Sequence, residues 1–395
     1  MEITGFSKET SDVVILLNGP GELSSYVKPT VEALNKRSAN IRIILLFTPC
    51  PYSTGKEVEI AKSIPGVAHV ITDKEFTRWA LFRVPPEHIT FSRRGVVVFM
   101  GGDILYGKVI AKRLKYPALA YSEAYAKWPK IYKKFLVPDK MIFDKFKIQG
   151  FPENQLQVVG NLMVDSVRSD RSREQVFDGL KLDRNKKLIS FLPGSREFQI
   201  SFTLSFFSKV ADDIRQLMSN IQFAFVISPY LPESILKKYM DKADPSIKLV
   251  TSDQHSIIKA SDLVITVPGT NTAEVAVLGT PMMVVFPLNN SQLIPLEGIW
   301  EIIGKIPVLG FLFKKFYVKI ALLKTRFFAI PNIKSGLEIV PELKGNIQPK
   351  TIAENAVSLM GNTKKLNEMR IRLKNCLGNA GAKDRIAREI LELIK

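Results

Sequence analysis

Short apolar runs recur along the chain, and each is followed by a turn and then by a helical pattern. The clearest example has a β-branched run at residues 263–267, a break at 268–270, a short apolar helix at 273–278 and a second run at 282–286. Continuous apolar runs of this kind are typical of parallel strands buried on both faces of a sheet. The pattern therefore predicts strand, helix and strand in a parallel sheet.

The same pattern predicts an α/β protein with two domains. Further strands are predicted at residues 13–17, 41–47, 68–71, 95–100, 117–121, 134–137, 157–159, 188–192, 222–227 and 247–250. A polar, charged stretch separates two groups of strands, as expected of an interdomain linker. The predicted divisions are an N-terminal Rossmann-like domain at 1–168, a linker at 169–187, a C-terminal Rossmann-like domain at 188–350 and helices at 351–395.

The loop after the predicted strand at 188–192 is a candidate diphosphate site. In a doubly wound sheet, ligands bind at the carboxyl ends of the strands. Here the sequence Pro-Gly-Ser-Arg places Gly194, Ser195 and Arg196 in a tight turn with backbone N–H groups, a hydroxyl and a guanidinium. Arg196 suits a bidentate contact with phosphate. The alternative is a solvated turn, and the pattern favours phosphate.

The loop after residues 263–267 is the second candidate in this domain. The backbone N–H groups of Gly269 and Thr270 are expected near an anion, and Asn271 or Thr272 is expected to cap the helix. Glu274 is an acid in an otherwise apolar helix, within reach of a hydroxyl pair. The alternative is an ordinary βαβ unit with an exposed glutamate.

The N-terminal half has a comparable loop directly after its first strand, at residues 18–29. Its glycines do not have the G-x-G-x-x-G spacing, so a dinucleotide fingerprint is not supported. The loop is a candidate acceptor site, and its glycines could equally serve only to make the turn. The candidate residues of this loop are Asn18, Gly19, Gly21, Glu22 and Ser24.

Asp103 follows the strand predicted at 95–100 and precedes a helix predicted at 105–114. Two roles remain open for it: helix N-cap and general base. A little further on, Tyr125, Trp128 and Tyr132 are interspersed with lysines. These aromatic residues fit either a surface that grips a lipid or sugar, or an ordinary domain rim.

Composition restricts the partners. The chain of 395 residues carries a formal net charge of +18, which favours anionic partners such as phosphorylated substrates and anionic lipid. No nucleic-acid-binding motif is present. The two cysteines, Cys50 and Cys376, form no disulfide framework or metal pattern and suit a reducing cytoplasm. The N-terminus is polar, so no signal peptide is expected, and no apolar run is long enough for a transmembrane helix.

Residues 299–330 combine apolar and basic side chains, with Glu301 as their single acid. This composition is typical of a segment that lies in an anionic membrane interface. The alternative is a core hairpin with lysine tips. The residues expected at the membrane are Trp300, Phe311, Phe313, Lys314, Lys315, Phe316 and Lys319.

Three motifs occur in order and in register: P-G-S-R, then G-T-N-T-A-E-V-A-V-L-G-T-P, then A-I-P-N-I-K-S-G-L-E-I-V-P-E-L. Together they resemble lipid-A-disaccharide synthase, an inverting glycosyltransferase family of the two-domain GT-B type. The resemblance is good over residues 188–287 and returns over 331–353. In the N-terminal half it is looser: G-G-D resembles the family's G-I-D at Asp103, and Asn161 stands where the family has histidine.

The resemblance implies two Rossmann-like domains that face each other across a cleft, with a UDP-sugar in the C-terminal one. Gly194, Ser195 and Arg196 would bind the diphosphate, Glu274 the ribose hydroxyls, and Asp103 would be the catalytic base. Asn332 and Glu338 would line the uridine or sugar side. No metal or other cofactor is expected, because Arg196 and backbone dipoles could neutralise the UDP leaving group. The three histidines, His69, His88 and His255, show no ligand spacing.

The expected reaction moves a sugar of the N-acetylglucosamine type to a lipid-linked acceptor. The protein would be cytoplasmic and peripheral on the inner face of the cell membrane, and a homodimer is left open. Several departures from the family lie in the regions that are expected to bind the acceptor and the membrane. Ser24 aligns with an aspartate of the family's first loop, the family's apolar helix before G-I-D is not recognisable, and the insert at 299–330 is longer. The alternatives are a UDP-sugar 2-epimerase-type enzyme and a non-catalytic membrane-surface binding protein.

Overall fold

The computed structural model describes residues 10–50, 55–123, 126–195, 197–228, 231, 246–287 and 325–394. The chain divides into two compact units. The first consists of Met1–Ser166 together with Gly378–Lys395, and the second of Val167–Leu377. Each unit contains one parallel sheet, so the α/β fold class predicted from the apolar runs is confirmed.

The sheet of the first unit has the strand order β3-β2-β1-β4-β5-β6-β7. Its strands are β1 (Ser11–Leu17), β2 (Ile41–Phe47), β3 (Val67–Ile71), β4 (Gly95–Phe99), β5 (Ala118–Tyr121), β6 (Tyr132–Val137) and β7 (Leu156–Val158). Every residue of β1 is buried, since this strand lies between β2 and β4 and is covered on both faces. The order reverses direction between β1 and β4, and this reversal is where α/β sheets bind ligands.

The helices of the first unit are α1 (Pro20–Glu22), α2 (Lys28–Asn35), α3 (Lys56–Ser63), α4 (Asp73–Phe82), α5 (Ile104–Leu114), α6 (Lys140–Ile148), α7 (Leu162–Ser166) and, at the end of the chain, α15 (Ala382–Ile394). A π-helical turn at Leu23–Val27 joins α1 to α2, and a 3-10 turn occupies Glu153–Gln155. Helix α15 packs against α2 and α7. Its start is fixed by the buried Asp165 carboxylate, which accepts from the backbone N–H groups of Gly381 (2.6 Å) and Lys383 (2.7 Å).

The sheet of the second unit has the order β10-β9-β8-β11-β12-β13. Its strands are β8 (Lys187–Leu192), β9 (Ile221–Val226), β10 (Ile247–Val250), β11 (Leu263–Thr266), β12 (Met282–Pro287) and β13 (Glu342–Gly345). Within the described residues of this unit, the helices are α8 (Arg173–Leu180), α9 (Glu197–Leu217), α10 (Gln254–Ala260), α11 (Asn271–Leu278), α12 (Ile330–Ser335), α13 (Pro349–Gly361) and α14 (Thr363–Cys376). Here the order reverses between β8 and β11.

Several local features differ from the sequence-based expectations. Residues 73–82, for which the sequence analysis predicted no element, form helix α4, and Thr72 and Glu75 make a reciprocal capping box at its start. The stretch expected to be a linker and surface helix does contain a helix, α8, but this helix packs on α10 as part of the second unit. Of the three aromatic residues for which a gripping surface and an ordinary domain rim were both left open, Tyr132 is fully buried and donates to the Ile104 carbonyl (2.6 Å). Trp128 is half-buried beneath Lys108, and Tyr125 lies outside the described residues.

Candidate functional site

Two glycine turns lie side by side at the strand-order reversal of the second sheet. Strands β8 and β11 pair directly, with Leu192 opposite Thr266 at their carboxyl ends, so the loops that follow them are neighbours. Gly194 has a φ of +107° and Gly269 a φ of +153°. Residues with a side chain rarely adopt such angles, so glycine lets the backbone turn sharply at both positions. The structure therefore brings the two predicted anion-binding turns to one edge.

The start of helix α11 is arranged differently from the predicted cap. Thr270 is the N-cap residue, and no side chain caps the helix. Asn271, which was expected to cap, instead donates from Nδ2 back to the Val267 carbonyl (3.3 Å), and the Thr272 hydroxyl donates to the Gly269 carbonyl (2.8 Å). Both side chains thus tie the turn to the end of β11. The prediction that either of them caps α11 was wrong.

Glu274 lies in the first turn of α11, close to His255, a residue that the sequence did not connect with it. Its Oε2 is 3.8 Å from Nε2 of His255, which lies in the first turn of α10. The two side chains are 23 % and 28 % exposed, so both remain accessible at this edge of the sheet. Sequence spacing could not reveal the pair, because the residues belong to different helices.

The third motif reaches the same edge through helix α12. The backbone N–H of Ile330 donates to the Thr272 hydroxyl (3.1 Å), which places the start of α12 beside the start of α11. Glu338 lies exposed on the loop after α12. Its expected position beside the uridine or sugar stays a prediction.

Asn332 has a structural role instead of the predicted ligand contact. It is fully buried, and its Nδ2 donates to the Val340 carbonyl (2.8 Å) and to Glu342 Oε1 (2.8 Å). Its Oδ1 accepts from the N–H groups of Ile339 (2.7 Å) and Val340 (3.0 Å). These four bonds use the full capacity of an asparagine amide, so Asn332 orders its own loop.

Glu342, which the sequence analysis did not single out, holds the other end of this loop. Its two carboxylate oxygens accept from the backbone N–H groups of Phe328 (2.8 Å) and Ala329 (2.9 Å). Arg196 and the residues expected at the membrane, from Trp300 to Lys319, lie outside the described residues, and their roles stay predictions.

In the first sheet, the loop after β1 is much shorter than expected. The stretch predicted as a loop at 18–29 becomes helical at Pro20, because Gly19 is extended (φ −145°) and proline is favoured at the first helical position. The π-helical turn follows within the same stretch, and such turns occur frequently at functional sites. The Ser24 hydroxyl, at the position of the family's aspartate, donates to the carbonyls of Pro20 (2.9 Å) and Gly21 (3.2 Å).

Glu22 lies close to the glycine turn that ends β4. A Cβ atom on Gly101 would lie 2.7 Å from Glu22 Cγ, and one on Gly102 would lie 2.5 Å from the Thr48 hydroxyl. Gly102 also has a φ of +91°. Gly102 therefore favours glycine through its backbone conformation as well as its close neighbour, whereas a side chain at Gly101 would require Glu22 to move. The turn brings Asp103 to the same edge of the sheet as Glu22.

Asp103 is the N-cap of α5, and its Oδ1 accepts from the Leu105 N–H (2.8 Å). The capping role proposed from the sequence is confirmed. The side chain is exposed, so its carboxylate is accessible from solvent. Its role as general base stays a prediction.

A carboxylate missed from sequence lies at the end of the neighbouring strand β5. Glu123 Oε1 accepts from the hydroxyls of Tyr26 (3.1 Å), on the π-helical turn, and Tyr121 (3.2 Å). Burial raises the pKa of Tyr26 well above its ordinary value, and the nearby charge of Glu123 raises that pKa further. Burial and Glu123 act on the pKa of Tyr121 in the same direction. Both phenols therefore remain protonated donors to the carboxylate.

Asn161, the residue where the resembling family has histidine, is buried at the start of α7. Its Oδ1 accepts from the Met163 N–H (2.9 Å). Among the residues that the structure describes, no group of three His, Cys, Asp or Glu side chains is placed to hold a metal ion. Across the same residues, no helix has both the length and the apolar character needed to cross a bilayer.

Solved structures are similar to this chain over nearly its whole length. A UDP-GlcNAc 2-epimerase from Methanocaldococcus jannaschii, solved with UDP-GlcNAc and UDP, matches with a TM-score of 0.58 at 18 % identity, covering 96 % of this chain and 99 % of that one. MurG from Acinetobacter baumannii matches with a TM-score of 0.51 at 14 % identity, covering 97 % and 99 % of the two chains. At these identities the likeness shows the fold, which is GT-B.

Two curated relatives carry the name lipid-A-disaccharide synthase. The one from Syntrophus aciditrophicus is 27 % identical over 242 residues, which are 60 % of this chain and 57 % of the relative. The one from Trichlorobacter lovleyi is 25 % identical over 268 residues, 66 % of this chain and 64 % of the relative. The chain thus spans about three fifths of the length of the relatives it matches.

The family model LpxB, described as lipid-A-disaccharide synthetase, matches residues 135–391. The match begins at strand β6 and includes both glycine turns, Glu274 and the loop that Asn332 orders. It covers well over half of the chain, and the resemblance that the three motifs indicated is confirmed. The chain belongs to the lipid-A-disaccharide synthetase family.

Proposed function

We propose that this protein is an inverting glycosyltransferase that moves a sugar from a UDP-sugar to a lipid-linked acceptor. The observation that carries the proposal is the convergence of the three family motifs at one edge of the second sheet, within the matched residues 135–391. Glycine turns, an N-terminal helix end and an accessible carboxylate are the groups that a nucleoside diphosphate needs. The donor sugar proposed is of the N-acetylglucosamine type.

In this proposal the diphosphate binds at the two glycine turns. Gly194, Ser195 and Arg196 contact the phosphates, and the backbone at Gly269 and Thr270 adds N–H donors. Such preorganised donors stabilise the negative charge that develops on UDP as it leaves. That stabilisation requires no metal ion in the proposed scheme.

Glu274 would accept hydrogen bonds from the ribose hydroxyls, and Glu338 would lie beside the sugar. The buried Asn332 supports the proposal only indirectly, by ordering the loop that carries Glu338.

The acceptor is activated by Asp103. Its carboxylate takes the proton of the acceptor hydroxyl as that oxygen forms a bond to the anomeric carbon. The bond from the anomeric carbon to the UDP oxygen breaks on the opposite face, and both electrons leave with UDP. A single displacement of this kind inverts the anomeric carbon. Glu22 and the loop from Asn18 to Ser24 are proposed to bind the acceptor.

The acceptor is proposed to be a lipid because residues 299–330 have the composition of a membrane-interface segment. The net charge of +18 supports attraction to anionic lipid. The protein would then act as a cytoplasmic, peripheral enzyme on the inner face of the cell membrane.

The test is a panel of UDP-sugars, each labelled in the sugar, incubated with the protein and a membrane lipid extract. We expect UDP release together with label in the lipid fraction for an N-acetylglucosamine-type donor. The Asp103→Asn variant serves as the matched control, because asparagine retains the ability to cap α5. Epimerised sugar or free UDP without labelled lipid would instead support the 2-epimerase activity. Binding of UDP without turnover of any donor would support a non-catalytic binding protein.

A further inference from the structure

His255 and Glu274 form a pair at the edge of the second sheet that no family motif predicted. The nearest atoms, His255 Nε2 and Glu274 Oε2, are 3.8 Å apart. This distance is too long for a hydrogen bond, and it allows a direct charge interaction when the imidazole is protonated. Because both side chains are mostly buried, solvent screens this interaction less than it screens an exposed pair.

The position of the pair is set by packing around it. Helix α10 precedes strand β11 and α11 follows it, so the first turns of both helices lie at the carboxyl edge. Ile257 and Ile258 bury the inner face of α10, and the Thr280 hydroxyl donates to the Ile258 carbonyl (3.0 Å). The backbone that carries His255 is therefore fixed relative to α11.

We propose that His255 is a positioning residue for Glu274. In its protonated form His255 attracts Oε2, so that the carboxylate adopts one orientation and presents its other oxygen to the hydroxyls of a ribose. This inference rests on the proposed function, which places Glu274 at the ribose of UDP. Glutamate loses side-chain freedom when it binds a ligand, and a partner that orients it beforehand reduces this cost.

A preference for ribose over deoxyribose follows from this arrangement. A site built to hydrogen-bond a hydroxyl discriminates against the analogue that lacks it, because the polar groups of the site are then left unpaired. If His255 orients Glu274, its loss lowers affinity for UDP more than affinity for 2′-deoxy-UDP. A change in general stability would lower both affinities alike.

The experiment measures binding of UDP and 2′-deoxy-UDP by calorimetry, with the full-length chain. The variants are His255→Ala, His255→Gln, Glu274→Ala and the double variant His255→Ala/Glu274→Ala. Lys259→Ala is the matched control, since Lys259 lies one turn further along α10 on an exposed position. Gln is included because its amide N–H can still attract a carboxylate.

We expect the unchanged protein to prefer UDP by about tenfold or more, as for one hydrogen bond to a charged group. His255→Ala should reduce this preference to about threefold or less, and His255→Gln should retain most of it, as expected of preorganisation. Within the Glu274→Ala background, His255→Ala should change UDP affinity by less than about twofold, because the histidine acts only through the glutamate. Lys259→Ala should behave as the unchanged protein.

A UDP preference that His255→Ala leaves intact, while Glu274→Ala removes it, would overturn the positioning role and leave the donor site standing. Unchanged UDP affinity in Glu274→Ala would overturn the proposed donor site itself, and the inference with it. Equal losses for UDP and 2′-deoxy-UDP in His255→Ala would show that the histidine matters only for packing, which also contradicts the proposal.

Discussion

The two sheets place their candidate residues at the same topological position, the point where strand order reverses, but they build that position from different groups. In the second unit, the turns at Gly194 and Gly269 rely on backbone geometry with positive φ. In the first unit, side-chain carboxylates dominate, namely Glu22, Asp103 and Glu123. The family model covers the whole of the second sheet but only the last strands of the first.

Under the proposed function, this contrast separates what a donor site requires from what an acceptor site requires. A diphosphate is recognised by backbone N–H groups and helix ends, which depend on glycine at fixed places. An acceptor is recognised by side chains, which can be replaced one at a time as the acceptor changes. Ser24, which the resemblance aligns with an aspartate of the family, carries no acid, and Glu123 supplies an acid elsewhere at the same edge, held by two tyrosines.

The largest expected effect is at Asp103. The Asp103→Asn variant preserves the shape and can still cap α5, but it cannot accept a proton. Transfer of labelled sugar should fall about 100-fold or more, in the range of general-base catalysis. UDP affinity should not change, because the donor groups belong to the other unit. A variant that turns over like the unchanged protein would leave Asp103 with its capping role alone.

The second prediction concerns the segment at 299–330. Changing Lys314, Lys315 and Lys319 together to Glu should weaken binding to anionic vesicles by about 3 kcal/mol or more, at about 1 kcal/mol for each basic residue near the surface. Binding of the unchanged protein should also weaken as salt is raised. Vesicle sedimentation measures both effects, with UDP affinity as the control. Equal binding to neutral and anionic vesicles would assign this segment to the core or to a protein partner.

At the donor edge, Arg196→Ala should weaken UDP binding by roughly 1.5–3 kcal/mol, the range for a hydrogen bond to a charged group. Calorimetry measures the change, and Arg168→Ala provides a control at another arginine of the same unit. Donor binding that survives the loss of both Arg196 and Glu274 would rule out this edge as the UDP site and remove the contrast between the two units.

The smallest expected effect is at Tyr26. Tyr26→Phe removes one hydrogen bond to Glu123 and should lower the free energy of unfolding by about 1 kcal/mol at neutral pH. The raised pKa of Tyr26 keeps it neutral in the folded protein at a pH where the unfolded chain ionises. Its contribution is therefore fully present below the unfolded value near 10 and is lost as pH rises above it.

Urea unfolding at neutral and alkaline pH checks this sign. Between the two conditions, the unchanged protein should lose more free energy of unfolding than Tyr26→Phe does. An equal loss would mean that Tyr26 ionises as readily in the folded protein as in the unfolded chain. In that case the hydrogen bond from Tyr26 would not hold the Glu123 carboxylate at this edge of the first sheet.

The sequence by itself determined most of the elements and the positions of both glycine turns. Largely apolar runs predicted strands such as β8 and β11, because a strand buried on both faces must be mostly apolar. The glycines that follow these two strands located the two proposed anion-binding loops, since few other residues adopt positive φ. The family followed from the order and spacing of three motifs.

Only the tertiary structure decided which side chains meet. In the folded chain His255 lies beside Glu274, and Tyr26 and Tyr121 donate hydrogen bonds to Glu123. The amide of Asn332 forms its hydrogen bonds within its own loop, so it is not available to a ligand. Helix α15, at the end of the chain, belongs to the first unit, where Asp165 accepts hydrogen bonds from the backbone at its start. Apart from the hydrogen bond between Tyr121 and Glu123, which are two residues apart, these contacts join residues that are distant in sequence or lie on different elements. Local periodicity reports which face of an element is buried, but the partner across the gap depends on how the elements pack.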